Sequence, residues 1–313
     1  MDQHKLSIIL LSFQSENRLE KAVREIDTAL ASASIPHEII IVDDGSTDAS
    51  FAIATQLSEE MNEVHVCQLA RNYTSPMAQF AGLEVCSGAC ASPMPDDGQR
   101  PVSHIIEMYR LWQQGHKIVI GYRTARRDGR ISDFFSGKYY ALMNTFSEIN
   151  MPPGGSDGYL VDREVIDLLN TKVSKRNTTP VIEILRLGFN AILVPYARPP
   201  REGKSRWTWR KKMNLALNTF FSSSIAPLRM ITWLGLSVFA VSLVAILLII
   251  AAKLFSDNTL FGFPIQGWAT LVVLVTLFNG LIMLCIGIVS EYLWRMYDEI
   301  RQRPPYIIRK NVK

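Results

Sequence analysis

The chain has 313 residues, of which 48% are hydrophobic and 20% are charged, and its formal net charge is +4. This length suits one large domain with an appendage, and so mild a positive charge gives no indication of nucleic-acid binding. Four cysteines without a familiar zinc spacing and five histidines without an HxxxH pair argue against a metal centre built from these residues, and favour free thiols in a reducing compartment.

The first third of the chain alternates short apolar runs with helical stretches. Strands are predicted at 6–11, 38–42, 64–69 and, as a short buried segment, 88–93; helices are predicted at 15–31, in a stretch ending near Met61, and at 75–85. This alternation predicts an open α/β fold with a mostly parallel sheet, whose ligands bind at the carboxyl ends of the strands.

An acidic turn follows the second predicted strand, where Asp43 and Asp44 precede Gly45. Carboxylates at a strand end can accept hydrogen bonds from ribose hydroxyls or a base N–H, and the glycine allows a tight turn. The same residues are also typical of a capped turn before a helix, so this pattern by itself leaves both interpretations open.

Two further acidic segments follow. Asp96, Asp97 and Gln99 offer two adjacent carboxylates and an amide oxygen, which suit Mg²⁺ or Mn²⁺ bound through a diphosphate; a solvated acidic turn is the alternative. Asp157 lies in the glycine-rich run Gly154–Gly158, where its carboxylate can approach a substrate or cap a helix.

Two charge-free apolar stretches, 230–252 and 267–290, each exceed the roughly 20 residues that a helix needs to cross a bilayer, and predict a two-helix transmembrane hairpin. Basic residues flank the hairpin on both sides, whereas its loop carries one lysine offset by one aspartate. The positive-inside rule therefore places both termini in the cytoplasm. The basic, amphipathic segment before the first span is expected to lie along the membrane surface, or else to pack on the soluble domain as a linker helix.

The predicted organisation has four parts: a cytoplasmic domain at 1–200, a basic juxtamembrane segment at 201–229, the transmembrane hairpin at 230–290, and a cytoplasmic basic tail at 291–313. Small residues in the second span, Gly280 and Gly287, can pack against copies of the same hairpin, so a homo-oligomer is left open.

Together and in this order, the motifs resemble glycosyltransferase family 2, which comprises inverting enzymes with the Rossmann-like GT-A fold. The segments that resemble it are Phe13–Glu16, Asp43–Asp48, Arg71–Tyr73, Ala81–Leu83 and Asp97–Pro101. The branch that includes dolichol-phosphate mannose synthases and bacterial polyprenyl-phosphate glycosyltransferases is closer still, and is resembled by Gly121–Arg123, Ser136–Asn144, Asp157–Arg163, Arg201–Arg206, Ala226–Arg229 and the hairpin.

The sequence departs from the family pattern at Leu11, where the family has a proline, and at Phe13 and Gln14, where it has Tyr-Asn; two further departures bear on function. Pro95 stands where the Asp-x-Asp metal motif has its first aspartate, so the resemblance implies Asp97 and Gln99 as ligands of Mg²⁺ or Mn²⁺. Gly203 stands where processive synthases have the glutamine of Gln-x-x-Arg-Trp, which argues against a polymerising enzyme.

The resemblance also implies a role for the remaining candidates. The residues expected to bind the nucleotide sugar are Phe13, Glu16, Asp43, Asp44, Arg71 and Asp96; those expected to bind the acceptor phosphate and the donor diphosphate are Arg123, Ser136, Arg201, Lys204 and Ser205. Asp157 takes the position of the catalytic base. A phosphate monoester has a second pKa of about 6 and needs little deprotonation, so Asp157 can instead orient the sugar or the acceptor.

The sequence thus predicts an inverting glycosyltransferase of the inner (cytoplasmic) membrane, a multi-pass protein with its catalytic domain in the cytoplasm. It would move one sugar from a nucleotide sugar, with UDP as the expected nucleotide, to a polyprenyl phosphate. One alternative is a hydroxyl acceptor, such as a lipid-linked oligosaccharide or a diacylglycerol, for which Asp157 would be essential as base. Another is a non-catalytic membrane scaffold, which the proline at position 95 motivates.

Overall fold

A computed structural model of the chain describes residues 4–123, 156, 158–197 and 268–312, together with a few positions between 231 and 264. The chain divides into two compact units. The larger unit contains Met1–Ser223 and also Arg303–Lys313, the last residues of the chain, whereas the smaller unit is Ser224–Gln302.

The described residues form strands and helices in alternation. The strands are β1 Leu6–Ser12, β2 His37–Asp43, β3 Val64–Leu69, β4 Cys90–Pro95, β5 Ile118–Arg123, β6 Gly158–Asp162, β7 Ala191–Tyr196, β8 Thr259–Leu260, β9 Phe263–Pro264 and β10 Ile308–Val312. The helices are α1 Leu19–Ser32, α2 Ser50–Glu60, α3 Ser75–Val85, α4 Val102–Gln113, α5 Arg163–Thr171, α6 Pro180–Arg186 and α7 Trp268–Ile300.

The larger unit is built on an eight-stranded sheet with the strand order β10-β3-β2-β1-β4-β6-β5-β7. Strands β1 to β4 pair in parallel, as do β5 and β7, whereas β6 and β10 run antiparallel to their neighbours. The predicted α/β fold with a mostly parallel sheet is therefore confirmed. The first four strands point their carboxyl ends toward one edge of the sheet, where a ligand site is expected.

The sheet is covered on both faces, which explains the uninterrupted apolar run of β2. Ile39 and Ile41 pack in one core layer and Ile40 and Val42 in the other, because successive side chains of a strand point to opposite faces. The first layer contains the buried stripe of α1, Leu19, Val23, Ile26 and Leu30, and the second contains Phe80 and Leu83 of α3. Each buried aliphatic side chain contributes roughly 1.5–3 kcal/mol to folding.

The smaller unit contains the short antiparallel pair β8–β9 and the long apolar helix α7. Among the described residues, one helical stretch is long and apolar enough to cross a membrane, Phe278–Ile300, with a mean hydropathy of 1.2. The helix continues past Ser290, where the predicted span ends, to Ile300, and the ion pair between Glu291 and Arg295 (2.9 Å) lies in this extension.

The first predicted span, 230–252, lies largely outside the described residues, and the juxtamembrane segment 201–229 lies wholly outside them. The end of the chain was predicted as a basic tail only, whereas Ile308–Val312 forms a strand of the main sheet. This segment mixes apolar residues with basic and polar ones, so its sequence alone does not indicate a strand. Its strand conformation depends on pairing with β3 at the edge of the sheet.

Candidate active site

The loops after β1, β2, β3 and β4 meet at the carboxyl edge of the parallel strands. This edge brings together all the residues predicted to bind the nucleotide sugar and the metal, namely Phe13, Glu16, Asp43, Asp44, Arg71, Asp96, Asp97 and Gln99. They lie up to 86 positions apart in the sequence, between Phe13 and Gln99. The parallel register therefore accounts for their convergence.

Asp44 holds the loop that carries Arg71. Its Oδ1 accepts the backbone N–H of Tyr73 (2.7 Å) and its Oδ2 accepts that of Thr74 (2.9 Å). Burial raises the pKa of Asp44 to about 6; the neighbouring Asp43 also raises it, whereas the two N–H groups and Arg71 lower it. Asp44 thus fixes the neighbouring loop and has a carboxyl group whose charge is sensitive to mildly acidic pH.

Gly45 brings the same two loops into direct backbone contact. Its φ is +70°, and a Cβ added there would lie 2.5 Å from the carbonyl carbon of Arg71. Only glycine tolerates both this conformation and this approach. The guanidinium of Arg71 lies 4.3 Å from the ring centroid of Tyr73, a cation–π contact that restricts the exposed arginine.

Asp43 is fully buried. Its Oδ1 accepts the backbone N–H of Ser46 (3.3 Å) and its Oδ2 accepts the side-chain amide of Gln68 (3.2 Å). Both contacts lie within the protein and stabilise the turn itself. This agrees with the interpretation of the segment as a capped turn. A direct contact between Asp43 and a nucleotide stays a prediction.

The loop after β1 is bound to the start of α2. Gln14 donates its backbone N–H to Ser46 Oγ (3.0 Å), and Ser15 donates its own to Ser50 Oγ (2.7 Å). Glu16 accepts the N–H of Ala49 (3.1 Å), one of the donors left over at the helix N-terminus. These contacts explain why α1 begins at Leu19 rather than at the predicted residue 15.

Asp96 is paired within the protein. Its carboxylate is buried, accepts the Ser15 hydroxyl, and lies 2.9 Å from the guanidinium of Arg18. Burial raises the pKa of Asp96, while the bonds from Ser15 and Arg18 lower it. This carboxylate connects the β1 loop to the turn after β4, which is a different contact from the predicted one with the nucleotide.

In the same turn Asp97 is partly exposed and Gly98 is exposed, whereas Gln99 is buried. The backbone N–H of Gln99 donates to Asp97 Oδ1 (3.2 Å), and a Cβ added at Gly98 would meet nothing within 4 Å. Mg²⁺ is usually bound through one or two carboxylates with substrate phosphates and water, so this pair fits a cation delivered with a diphosphate. Among the described residues, no group of three or more His, Cys, Asp and Glu side chains could hold a metal ion.

Arg100 connects the metal motif to β6. Its buried guanidinium donates to the carbonyl of Pro93 (2.6 Å), and a Cβ added at Gly158 would lie 2.3 Å from its Nη1. Gly158, with φ +146°, directly follows Asp157 in the sequence. The guanidinium of Arg100 thus lies between β4 and the start of β6.

The remaining predicted residues are only partly covered by the described chain. Arg123 ends β5, where its backbone pairs with Tyr196 of β7. Five others lie outside the described residues: Ser136, Asp157, Arg201, Lys204 and Ser205.

Sequence reasoning missed Arg18 and Ser15, the partners of Asp96. Arg18 and Asp96 are 78 positions apart, and Arg18 precedes an ordinary amphipathic helix. No local pattern distinguishes it from a solvated arginine, because the contact exists only once β1 and β4 are adjacent.

The fold and these loops are those of a glycosyltransferase: residues 7–166 match the family Glycosyl transferase family 2, and the chain belongs to it. The "SfII prophage-derived bactoprenol glucosyl transferase" of Shigella flexneri is 32% identical over 313 residues, which cover 98% of each chain. The "Prophage bactoprenol glucosyl transferase homolog" of Escherichia coli is 31% identical, over 98% of this chain and 99% of that one.

A solved structure shares the fold. The mannosyl-3-phosphoglycerate synthase of Rubrobacter xylanophilus superposes with a TM-score of 0.51 at 16% sequence identity, covering 68% of this chain and 71% of that one. At this identity the likeness concerns the fold alone, which is of the GT-A type.

Proposed function

We propose that this chain is an inverting glycosyltransferase that moves one sugar from a nucleotide sugar, with UDP as the nucleotide, to a polyprenyl phosphate at the cytoplasmic face of the inner membrane. The observation that carries the proposal is the near full-length similarity to proteins named bactoprenol glucosyl transferase. It is supported by a strand-edge site in which Asp44, Arg71 and Asp97 converge.

The donor would lie across the carboxyl ends of β1 to β4. Its base and ribose would meet the loop that Asp44 holds, where Arg71 is exposed beside Tyr73. Its diphosphate would lie over the open turn at Gly98. Asp97 and Gln99 would hold Mg²⁺ or Mn²⁺, which neutralises negative charge on a departing diphosphate.

The transfer forms a bond between an acceptor phosphate oxygen and the anomeric carbon, and breaks the bond from that carbon to the donor diphosphate, which leaves with the electron pair. Attack opposite the leaving group inverts the configuration. Two phosphate groups must then approach each other, so cations are required between them. Arg123, Arg201 and Lys204 are proposed for this role, with the hydroxyls of Ser136 and Ser205.

Asp157 is proposed to orient the sugar or the acceptor, because a phosphate acceptor is already ionised at neutral pH. The close approach of Arg100 to Gly158 supports a role near the turn after β4, since Gly158 follows Asp157 directly. A hydroxyl acceptor would instead require Asp157 as a general base.

The proposed topology is a two-helix hairpin, with spans at 230–252 and 267–290 and both termini in the cytoplasm. The apolar stretch within α7 supports the second span. The basic residues on both sides of the predicted hairpin support its orientation.

The test is transfer of radiolabelled sugar to undecaprenyl phosphate by the purified full-length protein in detergent, with a panel of UDP-sugars and Mg²⁺ or Mn²⁺. The expected result is a labelled lipid from one donor, which EDTA and Asp97→Ala both abolish. A mutation of the exposed Glu107 on α4 to Gln is the matched control, because it also removes one carboxylate but lies outside the metal turn.

The alternatives give different results. Transfer to diacylglycerol or a lipid-linked oligosaccharide, with none to the lipid phosphate, would contradict the proposed acceptor. Binding of UDP without transfer to any acceptor, for a protein that is folded and monodisperse, would favour the scaffold.

A further inference from the structure

The last strand of the chain begins beside the loop 70–74, the loop that Asp44 holds. Strand β10 pairs antiparallel with β3, with Ile308 opposite Leu69 and Val312 opposite Val66. Just beyond the pair of Ile308 and Leu69, the carbonyl of Ile307 accepts the backbone N–H of Ala70 (2.9 Å). Ala70 directly precedes Arg71, so the pairing reaches the first residue of the loop that Asp44 holds.

Tyr306 anchors this strand in the protein core. Its side chain is 6% exposed and belongs to the core layer on which Tyr73 packs. Its hydroxyl donates to Glu84 of α3 (2.5 Å) and accepts from the ammonium of Lys175 (2.9 Å). Burial and the adjacent Glu84 carboxylate raise the pKa of Tyr306, so its hydroxyl stays protonated and remains a donor.

The loop 70–74 is therefore fixed at both ends by different parts of the chain. At its start it is held by Ile307, and at its end by the carboxylate of Asp44. Without β10, strand β3 would become the edge of the sheet and Ala70 N–H would lose its partner. The start of the loop would then open more readily, as poorly anchored segments do.

We propose that the C-terminal strand, anchored by Tyr306, positions the loop 70–74 for the nucleotide of the donor. Tyr306 is a positioning residue, since it acts through β3 and α3 and does not touch the donor. The proposal rests on the proposed function only in taking a nucleotide as the ligand of this loop. It makes the segment that follows α7 a part of donor binding.

The first measurement is UDP binding by calorimetry, with full-length protein in detergent and Mn²⁺. Tyr306→Phe and Tyr306→Ala are compared with Tyr109→Phe and Tyr109→Ala. Tyr109 is the matched control: it is 2% exposed, and its hydroxyl donates to the carbonyl of His4 (2.7 Å), which precedes β1 and is far from the loop 70–74 in the sequence.

We expect Tyr306→Ala to weaken UDP binding about tenfold and Tyr306→Phe about twofold, while both Tyr109 variants stay close to wild type. In the transfer assay the KM for the donor rises by the same factors, and kcat at saturating donor is unchanged. A general loss of stability would instead reduce the fraction of active protein, which lowers the apparent kcat and leaves the KM for the donor unchanged.

The second measurement is hydrogen exchange of the peptide that contains the amides of Ala70, Tyr73 and Thr74, without ligand. Faster exchange in Tyr306→Ala, but not in Tyr109→Ala, is the expected result. Equal changes in both variants, or none in either, would overturn the proposal. If wild type binds no UDP, the proposed function fails, and the exchange of these amides still decides whether the tail positions the loop.

Discussion

Two turns with the same sequence, Asp-Asp-Gly, follow the strands on either side of β1 and have different contacts. After β2, Asp44 accepts two backbone N–H groups and Gly45 lies against the backbone of Arg71. After β4, Asp96 is paired with Arg18, and a side chain at Gly98 would meet nothing within 4 Å. The first turn is a fixed support, and the second has an open side where a diphosphate and its cation can lie.

The largest effect is expected at the open turn. Asp97→Ala removes the carboxylate proposed to hold the cation, so kcat for sugar transfer should fall about 100-fold or more, while the melting temperature stays close to that of wild type. Activity assays at saturating donor with increasing Mn²⁺ measure this. Near-normal turnover of the variant without added metal would contradict the assignment of the open turn.

The two glycines provide the next comparison. Gly45→Ala should destabilise the protein by roughly 3 kcal/mol or more, because its Cβ would lie 2.5 Å from the carbonyl carbon of Arg71. Gly98→Ala should cost only about 1 kcal/mol, since it has a similar positive φ but open space. Urea unfolding of both variants measures the difference, and similar losses would remove the contrast between the turns.

The pair formed by Arg18 and Asp96 is expected to give a smaller effect. Arg18→Met leaves a buried carboxylate without its cation and should cost about 1–3 kcal/mol. Adding Asp96→Asn should recover part of this loss, because the uncompensated charge is then gone. The double-mutant cycle, measured by urea unfolding, would show simple additivity if the two side chains did not interact.

The last effect concerns pH. The pKa of Asp44 is about 6 in the folded protein, above the ordinary value of 3.8, so the folded state holds the proton more tightly than the unfolded state. The contribution of Asp44 to the free energy of unfolding is therefore present below pH 4 and is lost as pH rises from about 4 to about 6. Asp44→Asn lacks this dependence.

The measurement is the difference in unfolding free energy between wild type and Asp44→Asn across that pH range. The advantage of wild type should shrink as pH rises. A difference that is constant with pH, or that grows, would show that the carboxyl of Asp44 is not held in its neutral form by burial.

Much of the fold follows from local sequence. Strand β3 and helix α3 have the predicted bounds, because the alternating valines Val64 and Val66 of β3 and the Ser-Pro start of α3 are local signals. The start of α1 was predicted too early, since Ser15 and Glu16 bond to Ser50 and Ala49 at the start of α2. Strand β10 was missed because its conformation depends on pairing with β3.

The site was predictable in its position and less so in its contacts. Acidic residues after parallel strands indicate a ligand edge, and the structure brings these residues together. The contacts of Asp96 were not predictable, because Arg18 lies 78 positions away and its side chain meets Asp96 only in the folded sheet. The same limit applies to Tyr306, which meets Glu84 across most of the chain length.

The measurement that tests this account most directly is the position of Mn²⁺ in a crystal of the full-length protein with UDP, located by anomalous scattering. The account predicts one peak beside the carboxylate of Asp97, with the diphosphate over Gly98 and the nucleoside beside the loop that Asp44 holds. A manganese ion and nucleotide bound elsewhere, with the turn at Gly98 empty, would contradict it.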